Sequence, residues 1–176
     1  MLKKFIYGVL GLFLAFIIIG ALLPEPAQDE VADTEQPVVQ EGTRSGEFIQ
    51  DKLGPLVDSV AASVDTNWQF YFVEPVQRLA EGGDLEEAKA DLELLVNLLK
   101  GEKKKLEGLE IPDGLEEAEK VRDELVLAID KRIEAVQALL AIEDRQEAAN
   151  LDVESLIVES NEHLTRAVSA YKELSK

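Results

Sequence analysis

The one histidine of the chain, His163, stands four residues after Glu159 and next to Glu162. On a helix that i,i+4 spacing puts the Glu159 carboxylate and the imidazole on one face, a pairing suited to proton transfer or metal binding. Helical-bundle di-iron centres need more: a Glu-x-x-His motif from each of two helices, hence two histidines, with further glutamates. Position 160 is Ser160, so even one copy of the motif is missing. The reading the sequence favours is a solvent-exposed histidine on the terminal helix.

Other chemistries fare no better. No serine lies in a G-x-S-x-G context, and a lone histidine leaves little room for a triad. No glycine pattern matches a phosphate loop, and there is no D-x-D-x-D-G calcium loop. The 36 acidic residues satisfy many spacing rules by number alone, so they single out no acid–base pair. With no cysteine, disulfides, thiolate metal sites and cysteine nucleophiles are excluded together. The expectation is a non-enzymatic protein without catalytic residues, cofactor or metal.

Two clusters suit binding rather than catalysis. Trp68, Phe70, Tyr71 and Phe72 hold four of the ten aromatic residues within five positions. On a helix Trp68, Tyr71 and Phe72 share a face and Phe70 points elsewhere. A core role accounts for them, and a partner or ligand patch is the functional alternative. Pro75 beside them favours a kink that opens space between helices. The second cluster is Lys103-Lys104-Lys105, which suits either a helix C-terminus, where cations favour the dipole, or an anionic partner.

These residues need helices to position them. Ile49, Leu53, Leu56, Val57, Val60 and Val64 follow helical spacing, interrupted by Gly54-Pro55 and, later, by Glu74-Pro75. The run WQFYFV has strand-like composition, but no partner strand exists to pair with it. Asp84 and Glu87 form a capping-box pattern that opens a second helix, with Leu85, Ala88, Leu92, Leu95, Leu99 and Leu106 as its seam and a gap at Glu102. Asp113 and Glu116 repeat that pattern before a third helix. Its stripe is Leu115, Ala118, Val121, Leu125, Ile129, Ile133 (or Arg132, by its stem), Val136 and Leu140. After a break around Asn150-Leu151-Asp152, the fourth carries Val153, Leu156, Ser160, Leu164, Ala167, Tyr171 and Leu174. The fold class is all-α, and this body, residues 45–176, reads as an up-down-up-down four-helix bundle.

Upstream of it, Lys3 and Lys4 precede an uncharged run from Phe5 to Leu23. Nineteen residues make a helix of roughly 28 Å, close to the hydrocarbon thickness of a bilayer and longer than a secretory h-region. Ala21 as a cleavage site would put Ile19 at the −3 position, where a small residue is wanted. Residues 1–23 are thus expected to be a single transmembrane anchor that is retained; if it is cleaved, the protein is secreted. The lysines keep the N-terminus cytoplasmic and the C-terminal domain extracytoplasmic. Residues 24–44, with three prolines, many acids and no aromatic residue, are expected to be a disordered acidic linker.

The whole chain has 18 basic and 36 acidic residues, and the two membrane-flanking lysines leave the rest more acidic still. Such a surface repels nucleic acid. The sequence thus points to a membrane-tethered helical interaction module of a bacterial cell envelope, inserted through residues 5–23 and binding a partner protein. The alternative is a small-ligand-binding sensor or accessory subunit acting through a separate signalling partner.

Overall fold

The structure, a computed structural model, describes residues 41–143 and 153–176. They form four helices and no strand. None of these helices is long and apolar enough to cross a membrane. The expected anchor, most of the expected linker and the Asn150-Leu151-Asp152 break lie outside the described residues. The last four linker positions, from Glu41, are already helical.

The first helix is continuous from Glu41 to Ala80 but not uniformly α. It comprises α1 (Glu41–Phe48), α2 (Gly54–Trp68) and α3 (Glu74–Ala80), joined by π-turns at Ile49–Leu53 and Gln69–Val73. The junction residues Phe48, Leu53, Trp68 and Val73 all keep right-handed helical angles. Each π-turn ends one residue before an X-Pro pair whose N–H closes it: Gly54 donates to Ile49 and Glu74 to Gln69, five residues back. In an α-helix the rings of Pro55 and Pro75 would press on the carbonyls of Asp51 and Tyr71. The wider turn relieves that clash, so the chain widens where a kink was expected.

The same turns explain the apolar spacing. Val64, Trp68, Phe72 and Val76 are all buried although they recur strictly every fourth residue. In a regular α-helix each four-residue step drifts by about 40°, and three steps would carry the last residue out of the core. One extra residue per π-turn cancels most of the drift.

The helix ends at Glu81. Gly82, at φ 101°, donates to Leu79 (3.2 Å) and Gly83 to Arg78 (2.8 Å), the two bonds of a Schellman motif. Asp84 then caps α4 (Leu85–Glu107), its side chain accepting from the N–H groups of Glu86 (2.8 Å) and Glu87 (3.0 Å). The second expected capping box does not form. Gly114, at φ 86°, turns the chain after Asp113, and Leu115 becomes the N-cap of α5 (Glu116–Leu140) without a side-chain bond. The last helix is α6 (Glu154–Leu174).

Pairs across the helices fix their directions. Arg78 bonds Asp91 and Ser63 bonds Glu102, Lys103 bonds Asp130 at 2.7 Å, and Lys131 meets Glu159 at 2.9 Å. The first helix therefore runs antiparallel to α4, and Lys131–Glu159 with Glu124–His163 sets α5 antiparallel to α6. The last returns beside the first: a Cβ on Gly54 would lie 2.3 Å from the Tyr171 hydroxyl, so only glycine admits that approach. Leu53, Phe72, Leu95, Leu99, Leu106, Leu125 and Ile129 are the largest fully enclosed side chains of the common core.

Candidate functional site

Halfway along the bundle the apolar core is crossed by polar side chains. Arg132 of α5 is 3% exposed. Its guanidinium carbon lies 4.8 Å from the centroid of Trp68, which stacks in turn on Phe72 at 3.9 Å with 16° between the rings. Nε donates to Ser160 Oγ (3.1 Å), one terminal nitrogen to Asn161 Oδ1 (3.1 Å), and the other reaches the Val64 carbonyl at 3.5 Å. Ser160 Oγ in turn donates to the Ala128 carbonyl at 2.7 Å. One cation thereby ties the first, third and fourth helices together.

All three acceptors are neutral, so the charge itself is poorly compensated. Burial pushes the Arg132 pKa down to about 10, while Asp65 pulls it back up. Asp65 shows the mirror image: burial raises its carboxyl and the Arg132 charge lowers it. At neutral pH Arg132 remains a cation held by hydrogen bonds and an aromatic face.

On the other flank of the first helix, Glu102 fills the gap in the α4 seam and is only 9% exposed. Its Oε1 accepts from Ser63 Oγ (3.2 Å) and Lys105 Nζ (2.9 Å), and Asn67 supports Ser63 at 2.9 Å. Its Oε2 is buried without a partner. An interior carboxylate oxygen left bare is costly, and a hydrogen-bond donor placed there would recover that cost.

His163 is not the solvent-exposed residue the sequence suggested. Its side chain is 18% exposed, because α6 packs against α5 over this whole stretch. Its Nδ1 lies 2.6 Å from Glu124 Oε2, and Arg166 Nε approaches the same oxygen at 3.0 Å. Glu159, its expected neighbour, pairs with Lys131 instead. Among the described residues no group of three or more His, Cys, Asp or Glu is arranged to hold a metal ion.

Burial alone would raise the Glu124 carboxyl, but the bonds from His163 and Arg166 outweigh it and hold it below its ordinary 4.5. A carboxylate with a depressed folded pKa binds fewer protons folded than unfolded, so its contribution is present above 4.5 and lost as pH falls through the lowered value. Glu124→Gln is therefore expected to lower unfolding free energy by about 0.5–1 kcal/mol at pH 7, a partly exposed pair being worth no more. Urea melts of both proteins at a series of pH values should show the difference closing below 4.5; a constant difference would exclude the electrostatic cause.

The structure divides the four aromatic candidates. Trp68 (3% exposed) and Phe72 (0%) are core residues, Tyr71 is half-buried against the core, and Phe70 is 54% exposed. The buried polar layer was partly visible in sequence, since Arg132 and Ser160 both stand on core stripes. Their meeting depends on the height at which α5 and α6 cross, which no local pattern encodes.

Fold and site together define an all-helical bundle with a buried cationic node. Comparison with protein-family models, with curated proteins and with solved structures finds no match to this chain.

Proposed function

We propose that the chain is a membrane-tethered, extracytoplasmic interaction module of a bacterial cell envelope, non-enzymatic, whose bundle binds a partner protein. The uncharged run from Phe5 to Leu23 behind Lys3 and Lys4 supports the tether, and the acidic, proline-bearing linker supports a body held off the membrane. The observation that carries the binding role is Phe70. It is a large aromatic side chain 54% exposed between two buried ones, on a helix whose core positions are already filled.

The test is a photoreactive phenylalanine analogue at position 70, introduced in the full-length protein in its own host. Irradiation should yield an adduct with one protein, absent when the analogue replaces the exposed Glu117 on α5. The same adducts from both positions, or none from position 70, would reject the surface. Recovery of a shortened protein from the medium alone would reject the tether.

The second reading is a small-ligand sensor working through a separate signalling subunit. Glu102 Oε2 favours it, since a ligand N–H or O–H would satisfy that buried oxygen. A small mass adduct on the gently extracted protein, lost in Glu102→Leu, distinguishes this reading from the first.

A further inference from the structure

We propose that two copies of this chain pair through the outward face of α4, antiparallel about a two-fold axis near residue 96. The inference is separate from the tether and from Phe70.

The first half of α4 carries Glu86, Glu87, Asp91 and Glu93 with one base, Lys89, and the second half Lys100, Lys103, Lys104 and Lys105. Between Leu94 and Leu99 there is no charge. Several of these groups are used within the chain: Glu87 and Asp91 by Arg78, Lys103 by Asp130 and Glu107, Lys105 by Glu102. The opposing exceptions do not disturb the order on the seam, since Lys89 stands about 100° round the helix from Ala90, Glu102 is buried and Glu107 is held by Lys103. The side chains of Glu93, Lys100 and Lys104 have no partner among the described residues, and Glu86 contributes only its backbone N–H to the Asp84 cap.

The helix dipole accounts for Glu86 and Lys104, which sit in the terminal turns. It does not reach Glu93 and Lys100, two turns inside, because the effect fades within the first and last turn. A second copy accounts for both. With the axis near residue 96, Glu93 lies opposite Lys100 of the second copy and Lys100 opposite its Glu93. In antiparallel helices positions on the same flank face each other, and these two share a flank by the 3.6-residue period. In the same register Glu86 falls opposite Glu107 of the second copy, whose charge Lys103 already engages.

The middle of the face supplies the contact. Ala90, Leu94, Asn97 and Gly101 follow the 4-3-4 spacing of a helix seam on the solvent side, opposite the core seam. Leu94 is 43% exposed. Gly101 is inside a long helix, where glycine is unfavourable relative to alanine, and a Cβ there would meet nothing within 4 Å. Nothing among the described residues calls for a glycine at that position; a second helix alongside does, since small residues let helices approach.

Charge order selects a second copy as the occupant. An acid-to-base helix is its own complement only when reversed, which is what a two-fold axis does. The chain's own segment 24–40 carries acids and no base, so it is repelled by the Glu86 and Glu93 end. The net charge of −18 opposes association at long range, but screening over about 8 Å at physiological salt leaves the local pairs in control. In the anchored reading the two bodies point in opposite directions. An extended 17-residue segment reaches up to ~58 Å against ~35 Å for α4, so both anchors can share one membrane.

The experiment is sedimentation velocity on the full-length protein in density-matched detergent, across a micromolar concentration series. The wild type should show a monomer–dimer equilibrium. Glu93→Lys and Lys100→Glu should each weaken it about tenfold, because two attractive pairs become repulsive. The double variant restores both pairs with signs exchanged, and its dimer should return to within about threefold of wild type. Leu94→Ser should abolish the dimer while the thermal melt stays in place. A wild type that is monomeric throughout would overturn the proposal. So would a folded double variant that dimerises no better than the single ones.

Discussion

Arg132→Ala is expected to destabilise the protein by about 3–5 kcal/mol. Three effects add: a cavity at the centre of three helices, loss of the Trp68 face, and three acceptors on Val64, Ser160 and Asn161 stripped of a donor. One effect opposes them, relief of the desolvation that pulls the guanidinium down to about 10. The cavity and the lost bonds win, although Ser160 keeps its bond to Ala128 and the Val64 carbonyl its place in the helical ladder. Arg132→Met keeps most of the volume and removes the buried charge, so its cost should be no more than about 2 kcal/mol. Urea unfolding followed by the fluorescence of Trp68, the one tryptophan, measures both. An alanine variant within about 1 kcal/mol of wild type is incompatible with an enclosed side chain bonded through all three of its nitrogens.

Phe72→Ala should cost a similar amount, about 3–5 kcal/mol, and Phe70→Ala less than about 0.5 kcal/mol. The two residues are neighbours but one in sequence, yet Phe72 is fully enclosed and stacked on Trp68 whereas Phe70 is half in solvent. Paired melts of the two variants separate stability from surface. If binding of any partner follows Phe70 while stability follows Phe72, one segment does both jobs through opposite faces. Equal losses would mean that Phe70 is covered in the folded protein.

The helical class and most of the core were legible in the sequence because both rest on local periodicity. Ala88, Leu92, Leu95, Leu99 and Leu106 form the α4 seam as the spacing predicts, and Ala118, Val121, Leu125, Ile129, Ile133 and Val136 that of α5. Legibility failed where a residue's state depends on another helix. His163 was read as exposed from the residues of its own helix alone; Glu124, which helps to enclose it, is 39 positions away on α5. Glu102 looked like a gap and is a buried acid held by Ser63 and Lys105. The Asp113 cap failed for a local reason: the left-handed Gly114 sets Asp113 too far ahead of the first helical N–H groups.

The two π-turns also bear on which insertions and deletions this chain tolerates. A residue removed from the middle of an ordinary helix rotates everything beyond it by about 100° and turns a core face towards water. Here each wide turn already holds one residue above the α complement, so a deletion inside 49–53 or 69–73 returns that turn to α and leaves both flanking faces in place. The permission has a condition, because an α turn brings the Pro55 or Pro75 ring back against the carbonyl four residues earlier. Length and proline content are therefore coupled along the first helix: its shorter forms are those in which the matching proline has also gone.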